Sequence, residues 1–231
     1  IVDSGRLGQV LWVRGVYGKA GGAGFEQSWR SKKELAGGGI LLDQGIHMLD
    51  ICNLALQAHP LSAVGSGGLN EGAEFGNAWN NYQVIYQYPD NVNVSYHSTQ
   101  LGKQFGDVCA RFIGTKGIAE AHYSGGVFIS GENKWDSGVA RNAGEVTAEQ
   151  RAAGVFLSSL HDADANKHKS FINSIETGNY LNETGIAVDS TLTAIMGRNA
   201  AEAHEEVTWD EIRFSNEKID SNLDLSQFDK K

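Results

Sequence analysis

"YQVIYQYPDNVNVSYHSTQ", residues 82–100, is the stretch on which the reading of the fold turns. Its two arms, "YQVIYQY" and "VNVSYHSTQ", are rich in β-branched and aromatic residues, and Pro89-Asp90-Asn91 breaks them with turn-forming chemistry. The same texture extends from Leu61 to about Ser130. "DVCARFIG", "GIAEAHYSG" and "GVFISG" follow one another, separated by "GTKG" and "SGG", and "IGTKG" is a natural hairpin turn. No helical segment separates these strands, so they are not βαβ units, and an antiparallel meander is expected.

Towards the N-terminus, "GQVLWVRGVYG" (8–18) has the composition of a strand, and a Gly-rich loop (18–24) and the polar connection "SWRSKKELAGGG" follow it. Residues 40–57 read as a helix, with Leu42, Ile46, Leu49 and Leu56 as an apolar stripe and Pro60 just beyond its end. Towards the C-terminus, residues 131–160 carry no clear pattern and are read as loop. A helix is expected from Asp162 or Asp164 to Thr177, with Phe171 and Ile175 on one face and Gly178 as its stop. Asn182 caps a second helix with Ile186, Leu192, Ile195 and Met196 as its core stripe. "EVTWDEI" is a short returning segment, and the tail after Phe214 is polar and extended. The sum is an α+β fold, one largely antiparallel open sheet with helices on one face. No internal repeat or low-complexity tract interrupts it, and a G-x-G-x-x-G following a strand is absent.

Composition narrows the function classes. The chain has 231 residues, 41% of them hydrophobic, enough for a real core. Its mean hydropathy is −0.31 and no apolar run approaches the roughly 18 residues of a membrane span. A net charge of −9 with scattered basic residues argues against nucleic-acid and anionic-membrane partners. Cys52 and Cys109 have no knuckle spacing and read as buried thiols of a reducing compartment. There are 29 glycines and only 2 prolines. Because the sequence opens with Ile1, it is expected to be part of a longer polypeptide, and cytoplasm is only the default location, since an export signal would precede Ile1.

Within "GGGILLDQGIHMLD" (37–50), Asp43, His47 and Asp50 fall on one helix face at 3.6 residues per turn. An imidazole near an apolar wall and a carboxylate has opposed influences on its pKa, which suits a general acid/base near neutral pH. Gly45, one turn away, leaves room for a close approach, including that of a cofactor. A satisfied structural network fits the same spacing. An ion shared by Asp43 and His47 also fits, but no third ligand is identifiable and no metal is expected. Spacing alone does not choose among these readings.

"AGGGILLDQGIHMLDI" (36–51) resembles the G-G-G-x-L-x-D-x-G-x-H-x-x-D signature of the glucose–fructose oxidoreductase, inositol dehydrogenase and rhizopine catabolism family (Gfo/Idh/MocA). "SGRLGQVLWVRGVYG" (4–18) is similar to the strand opening the family's C-terminal domain. "TLTAIMGRNAAEAHEEVTWDEI" (191–212) is similar to its closing helix, and "FIGTKGIAEAHY" and "GEN" look like its sugar-active members. The resemblance runs from about Gly5 to Ile212. It implies a C-terminal domain of the glyceraldehyde-3-phosphate dehydrogenase-like kind, from an enzyme moving a hydride between a sugar or polyol and NAD or NADP. His47 matches the family's proton-transfer group and Asp43 the carboxylate beside it; Trp29 and Arg30 would line the sugar pocket. Asp50 reads as a helix-network partner, and His97, His122 and His168 as structural or solvated residues.

One departure is large. The family's Rossmann domain, its Gly-rich fingerprint and the lysine of its E-K-P motif are missing, although two βαβαβ halves need roughly 120 residues. The expected organisation is a substrate-binding and oligomerisation domain over 1–214 and a C-terminal extension over 215–231, without the N-terminal dinucleotide-binding domain. An isolated chain of this kind is expected not to turn over. A homodimer or homotetramer is expected through the sheet. Two alternatives stand beside this: an NAD-dependent glycoside hydrolase of the same family, and a non-catalytic binding or scaffold domain.

Overall fold

The structure is a computed structural model and describes residues 4–19, 28–70, 76–100, 106–122, 127–136 and 159–218. The two arms of the opening stretch are β3 (Asn81–Gln87) and β4 (Asn93–Thr99), antiparallel and joined across Pro89–Asn91. Asp90 and Asn91 take positive φ in that turn, as short polar side chains tolerate. Around this hairpin lie β1 (Val10–Lys19), β2 (Ser62–Gly68), β5 (Gly106–Gly114), β6 (Gly117–His122), β7 (Val127–Gly131), β8 (Trp135–Asp136) and β9 (Val207–Thr208). They form one sheet in the order β8-β7-β6-β5-β1-β4-β3-β2-β9.

Every pairing is antiparallel except β1 with β4 at the centre. That exception follows from chain order. The strand β1 feeds a helix, α1 (Ile46–Leu56), before β2, and β2 runs in the same direction as β1 with β4 and β3 between them. The unit is a split crossover, which a meander alone does not provide. Residues 137–158, most of the stretch read as loop, lie outside the described residues, as does the tail from 219 onward.

The register fixes which side chains share a face. Tyr86, Val94, Val13, Phe112, Ala119 and Ile129 form one transverse row from β3 to β7, all buried. On this face pack α1 and α3 (Thr184–Ala203); α2 (Ser159–Thr177) precedes α3 in the chain and α4 (Trp209–Arg213) follows it. The other face carries Trp12, Val64, Ile85 and Ile118, each 38–51% exposed.

The core is rich in tyrosine. Tyr82, Tyr86, Tyr88 and Tyr96 are fully buried, and a buried phenol needs a partner. Tyr88 donates to Asn53 Oδ1 at 2.6 Å and Tyr96 to the Gly45 carbonyl at 2.7 Å, tying the sheet to the helix above it. Asn53 in turn donates to Thr193 Oγ1 at 3.1 Å, joining α1 to α3.

The helices correct three details of the sequence reading. Residues 39–56 are helical as expected, but Leu41–Gly45 is a π-helical turn. Its wider i→i+5 bonding shifts the apolar stripe, so Leu41, Met48, Leu49 and Cys52 are buried while Leu42, Ile46 and Leu56 are only partly so. On α3 the buried line is Ser190, Thr193, Ala194, Met196, Gly197, Arg198, Ala200 and Ala201; Ile186 is 52% exposed. Small residues lie inward there because the buried tyrosines already fill the space. Phe171 and Ile175 on α2 are both exposed. "EVTWDEI" returns as expected: β9 pairs with β2, and Thr208 and Glu211 form a capping box at the start of α4.

Candidate active site

Ser28 starts the site. Its hydroxyl accepts from Arg30 N at 3.2 Å and closes a 3-10 turn over Trp29–Ser31. The Ser31 carbonyl accepts from the amides of Asn77 and Ala78, at 2.9 and 3.0 Å, which anchors the turn to the approach to β3. Trp29 is left 45% exposed, with the Arg30 guanidinium 4.5 Å from its ring centre. Arg30 Nε donates to Asp43 Oδ2 at 2.7 Å. Two residues expected at a sugar pocket and one expected beside the base are thus joined in a single chain of contacts.

Asp43 projects from the π-helical turn, a distortion often found where a helix serves a site. His47 lies on the first turn of α1, exposed, with its ring 6.4 Å from that of Tyr17 on β1. Asp50, expected on the same face, instead accepts from Ser190 Oγ at 2.6 Å and binds α1 to α3. The three ionisable groups therefore divide. Asp43 turns to Arg30, Asp50 to the helix network, and His47 remains on the surface.

Gly45 is buried, and the close approach it permits is taken by the sheet. A side chain there would stand 3.0 Å from Tyr96 Oη and 3.3 Å from Ser98 Oγ. Tyr17 shares a row with Ser98 near the carboxyl ends of the parallel pair β1 and β4, the end where ligands gather in sheets with crossover helices. Gln44 Oε1, Ser98 Oγ and Gln100 Oε1 are buried there with no hydrogen-bond partner among the described residues. Sequence reading missed these three, because an isolated Gln or Ser carries no pattern. Unpaired acceptors of this kind are costly unless something donates to them.

The remaining histidines take structural positions. His97 Nε2 pairs with Asn81 Oδ1 at 3.0 Å on the open face, where burial and, secondly, Arg14 hold its pKa below the usual value. His122 pairs with Glu120, and His168 is exposed on α2. A concavity of about 620 Å³ also lies on the open face, lined by Arg14, Ser66, Gln83, Ile85 and His97, away from His47. Among the described residues no helix is long and apolar enough to cross a membrane. Cys52 and Cys109 are both free thiols.

Comparison with known proteins agrees with the architecture. The chain resembles an oxidoreductase from Agrobacterium radiobacter solved with NAD+, L-tartaric acid and magnesium, at 12% identity and a TM-score of 0.66, over 91% of this chain and 60% of that one. It resembles aldose-aldose oxidoreductase from Caulobacter crescentus, complexed with glycerol, at 19% identity and a TM-score of 0.62, over 90% and 58%. Levoglucosan dehydrogenase in complex with NADH and L-sorbose matches at 15% identity and a TM-score of 0.66, over 92% and 62%. The chain thus spans about three fifths of the length of these structures, and the likeness is one of fold. No curated protein matches its sequence. The model of the GFO/IDH/MocA C-terminal domain matches residues 1–120. With that match over half of its length, the chain belongs to the GFO/IDH/MocA C-terminal domain family, and its fold is shared with part of longer oxidoreductases.

Proposed function

We propose that this chain is the substrate-binding part of an NAD(P)-dependent oxidoreductase acting on a sugar or polyol hydroxyl, with His47 as the proton-transfer group. The observation that carries this reading is the Trp29–Arg30–Asp43 chain of contacts one helical turn from an exposed imidazole. Arg30 commits Nε to Asp43, and a guanidinium carries further N–H groups of the kind that donate to hydroxyl oxygens. The exposed Trp29 indole offers an apolar plate for the C–H face of a sugar ring. Asp43 fixes the guanidinium and brings negative charge beside the base.

A nicotinamide, when bound beside His47, would supply the hydride acceptor. His47 takes the hydroxyl proton as the carbinol carbon loses its hydride, leaving a carbonyl. The sequence contains no G-x-G-x-x-G following a strand, and on this reading the dinucleotide itself is held by a separate N-terminal Rossmann domain, with residues 1–214 contributing the substrate side and 215–231 an extension. The open sheet face, with Trp12, Val64, Ile85 and Ile118, is the surface through which two or four copies associate. The free thiols suit a cytoplasmic setting.

Calorimetric titration tests this reading. The chain should show saturable binding of at least one sugar or polyol, weakened about tenfold or more by Arg30→Ala, as loss of a charge-assisted hydrogen bond predicts. NADH alone should give no saturable heat. Absence of binding across a broad panel, or affinity unchanged in Arg30→Ala, would contradict it.

A further inference from the structure

A second cluster lies on the sheet face opposite His47. Cys109 on β5 is the direct cross-strand partner of His122 on β6, and Glu120 lies two residues before His122, so all three side chains leave the same face. Cys109 Sγ, a Glu120 oxygen and a His122 ring nitrogen all lie within 4.8 Å of one another. Among the described residues this is the one group of three metal-ligating side chains so close together. The reaction assigned above uses none of them.

The chemistry of the set is selective. A thiol, an imidazole and a carboxylate suit a borderline cation such as zinc, whereas magnesium and calcium demand oxygen ligands. His122 Nε2 and Glu120 Oε2 stand 3.1 Å apart. Two such ligands of one tetrahedral zinc are separated by about 3.3 Å, given metal–ligand bonds of roughly 2.0–2.1 Å. Closing the thiol onto the same ion needs a movement of about 1 Å, within reach of a Cys χ1 adjustment. Its present hydrogen bond, to the Ala110 carbonyl at 3.6 Å, is weak and easily given up.

The surroundings support an ion. Arg111 Nε donates to Glu120 Oε2 at 3.0 Å and its terminal nitrogens to Asp107 at 3.3 and 3.4 Å, which orients the carboxylate from outside. Glu120 Oε1 has no hydrogen-bond partner among the described residues. The His122 ring is stacked on Phe128, with centroids 5.5 Å apart and planes 18° off parallel, so its direction is set before any ion arrives. Arg111 alone would repel a cation. Asp107, Glu120 and an ionised Cys109 outweigh it by two negative charges, the complement of a divalent ion.

We propose that Cys109, Glu120 and His122 form a binding site for a zinc-class divalent cation on the open sheet face, with the fourth position left to water. The ion enters by displacing the Cys109 thiol proton, as zinc does at cysteine sites. The ion clamps β5 to β6 on the face of the sheet opposite His47.

Cobalt(II) is the probe, because a thiolate ligand gives it a charge-transfer absorption in the near ultraviolet. The chelator-treated chain should take up one equivalent of cobalt with that band, and zinc should displace it. The band should persist in Cys52→Ser, vanish in Cys109→Ser, and require at least about tenfold more cobalt in His122→Gln. Circular dichroism checks that each variant is folded, and Glu120→Gln gives a second weakened variant if Cys109→Ser is not. Wild-type chain without a saturable band, a band surviving in folded Cys109→Ser, or affinity unchanged in His122→Gln and Glu120→Gln would overturn the site.

Discussion

Tyr86 and Gly197 meet where α3 crosses the sheet. A methyl at Gly197 would collide with the Tyr86 hydroxyl and stand 2.7 Å from its ring, and that hydroxyl is buried with no hydrogen-bond partner among the described residues. Gly197→Ala gains up to about 1 kcal/mol of helix propensity. Overpacking a well-filled core costs roughly 1–3 kcal/mol, so a net loss of about 1–2 kcal/mol is expected. Gly185, in the same helix, has nothing within 4 Å of its missing Cβ, and Gly185→Ala should be neutral or stabilising by a few tenths to about 1 kcal/mol. Urea unfolding of the two variants checks this; equal losses in both would refute the packing argument. At this scale the sequence was half legible. The Asp43–His47 spacing is visible in the signature, whereas the Arg30–Asp43 pair spans 13 positions and Asp50 bonds across 140. No local pattern announces such partners, because loop geometry and helix packing bring them together.

Elements were more legible than residues. The tight turns around Pro89 and in "IGTKG", and the glycine stop at Gly178, are local signals, and the structure places turns or ends at each. The strand β2 was the weakest signal, because "SAVGSGG" contains three glycines and little β propensity. Tertiary packing overrides that: a Cβ at Gly65 would lie 3.3 Å from Ala201 of α3, so the small side chains admit the helix. The π-helical turn was invisible for a different reason. A periodicity of 3.6 presupposes a regular helix, and a single inserted residue moves the stripe without changing its composition. The register of β5 and β6, which assembles Cys109 with His122, was equally hidden, since cysteine counting considers only spacing along the chain.

At the scale of the whole molecule, an open sheet covered by helices on one face leaves Trp12, Val64, Ile85 and Ile118 exposed on the other. If that face joins copies of the chain, Ile85→Lys, placed centrally on it, should shift sedimentation towards monomer while leaving the melting temperature of the fold little changed. An unchanged association state would show that another surface is used. The chain spans about three fifths of the length of the oxidoreductases it resembles; under the proposed function it would present the substrate and move the proton, while a further domain would hold the dinucleotide. The most direct test is kinetic, on this chain joined in one polypeptide to the dinucleotide-binding domain that the proposed function requires. The rate of NAD(P)+ reduction at saturating sugar or polyol should fall by about 10²–10⁴ in His47→Asn, with a much smaller change in KM. A kcat within about twofold of the unsubstituted enzyme would show that His47 does not carry the proton.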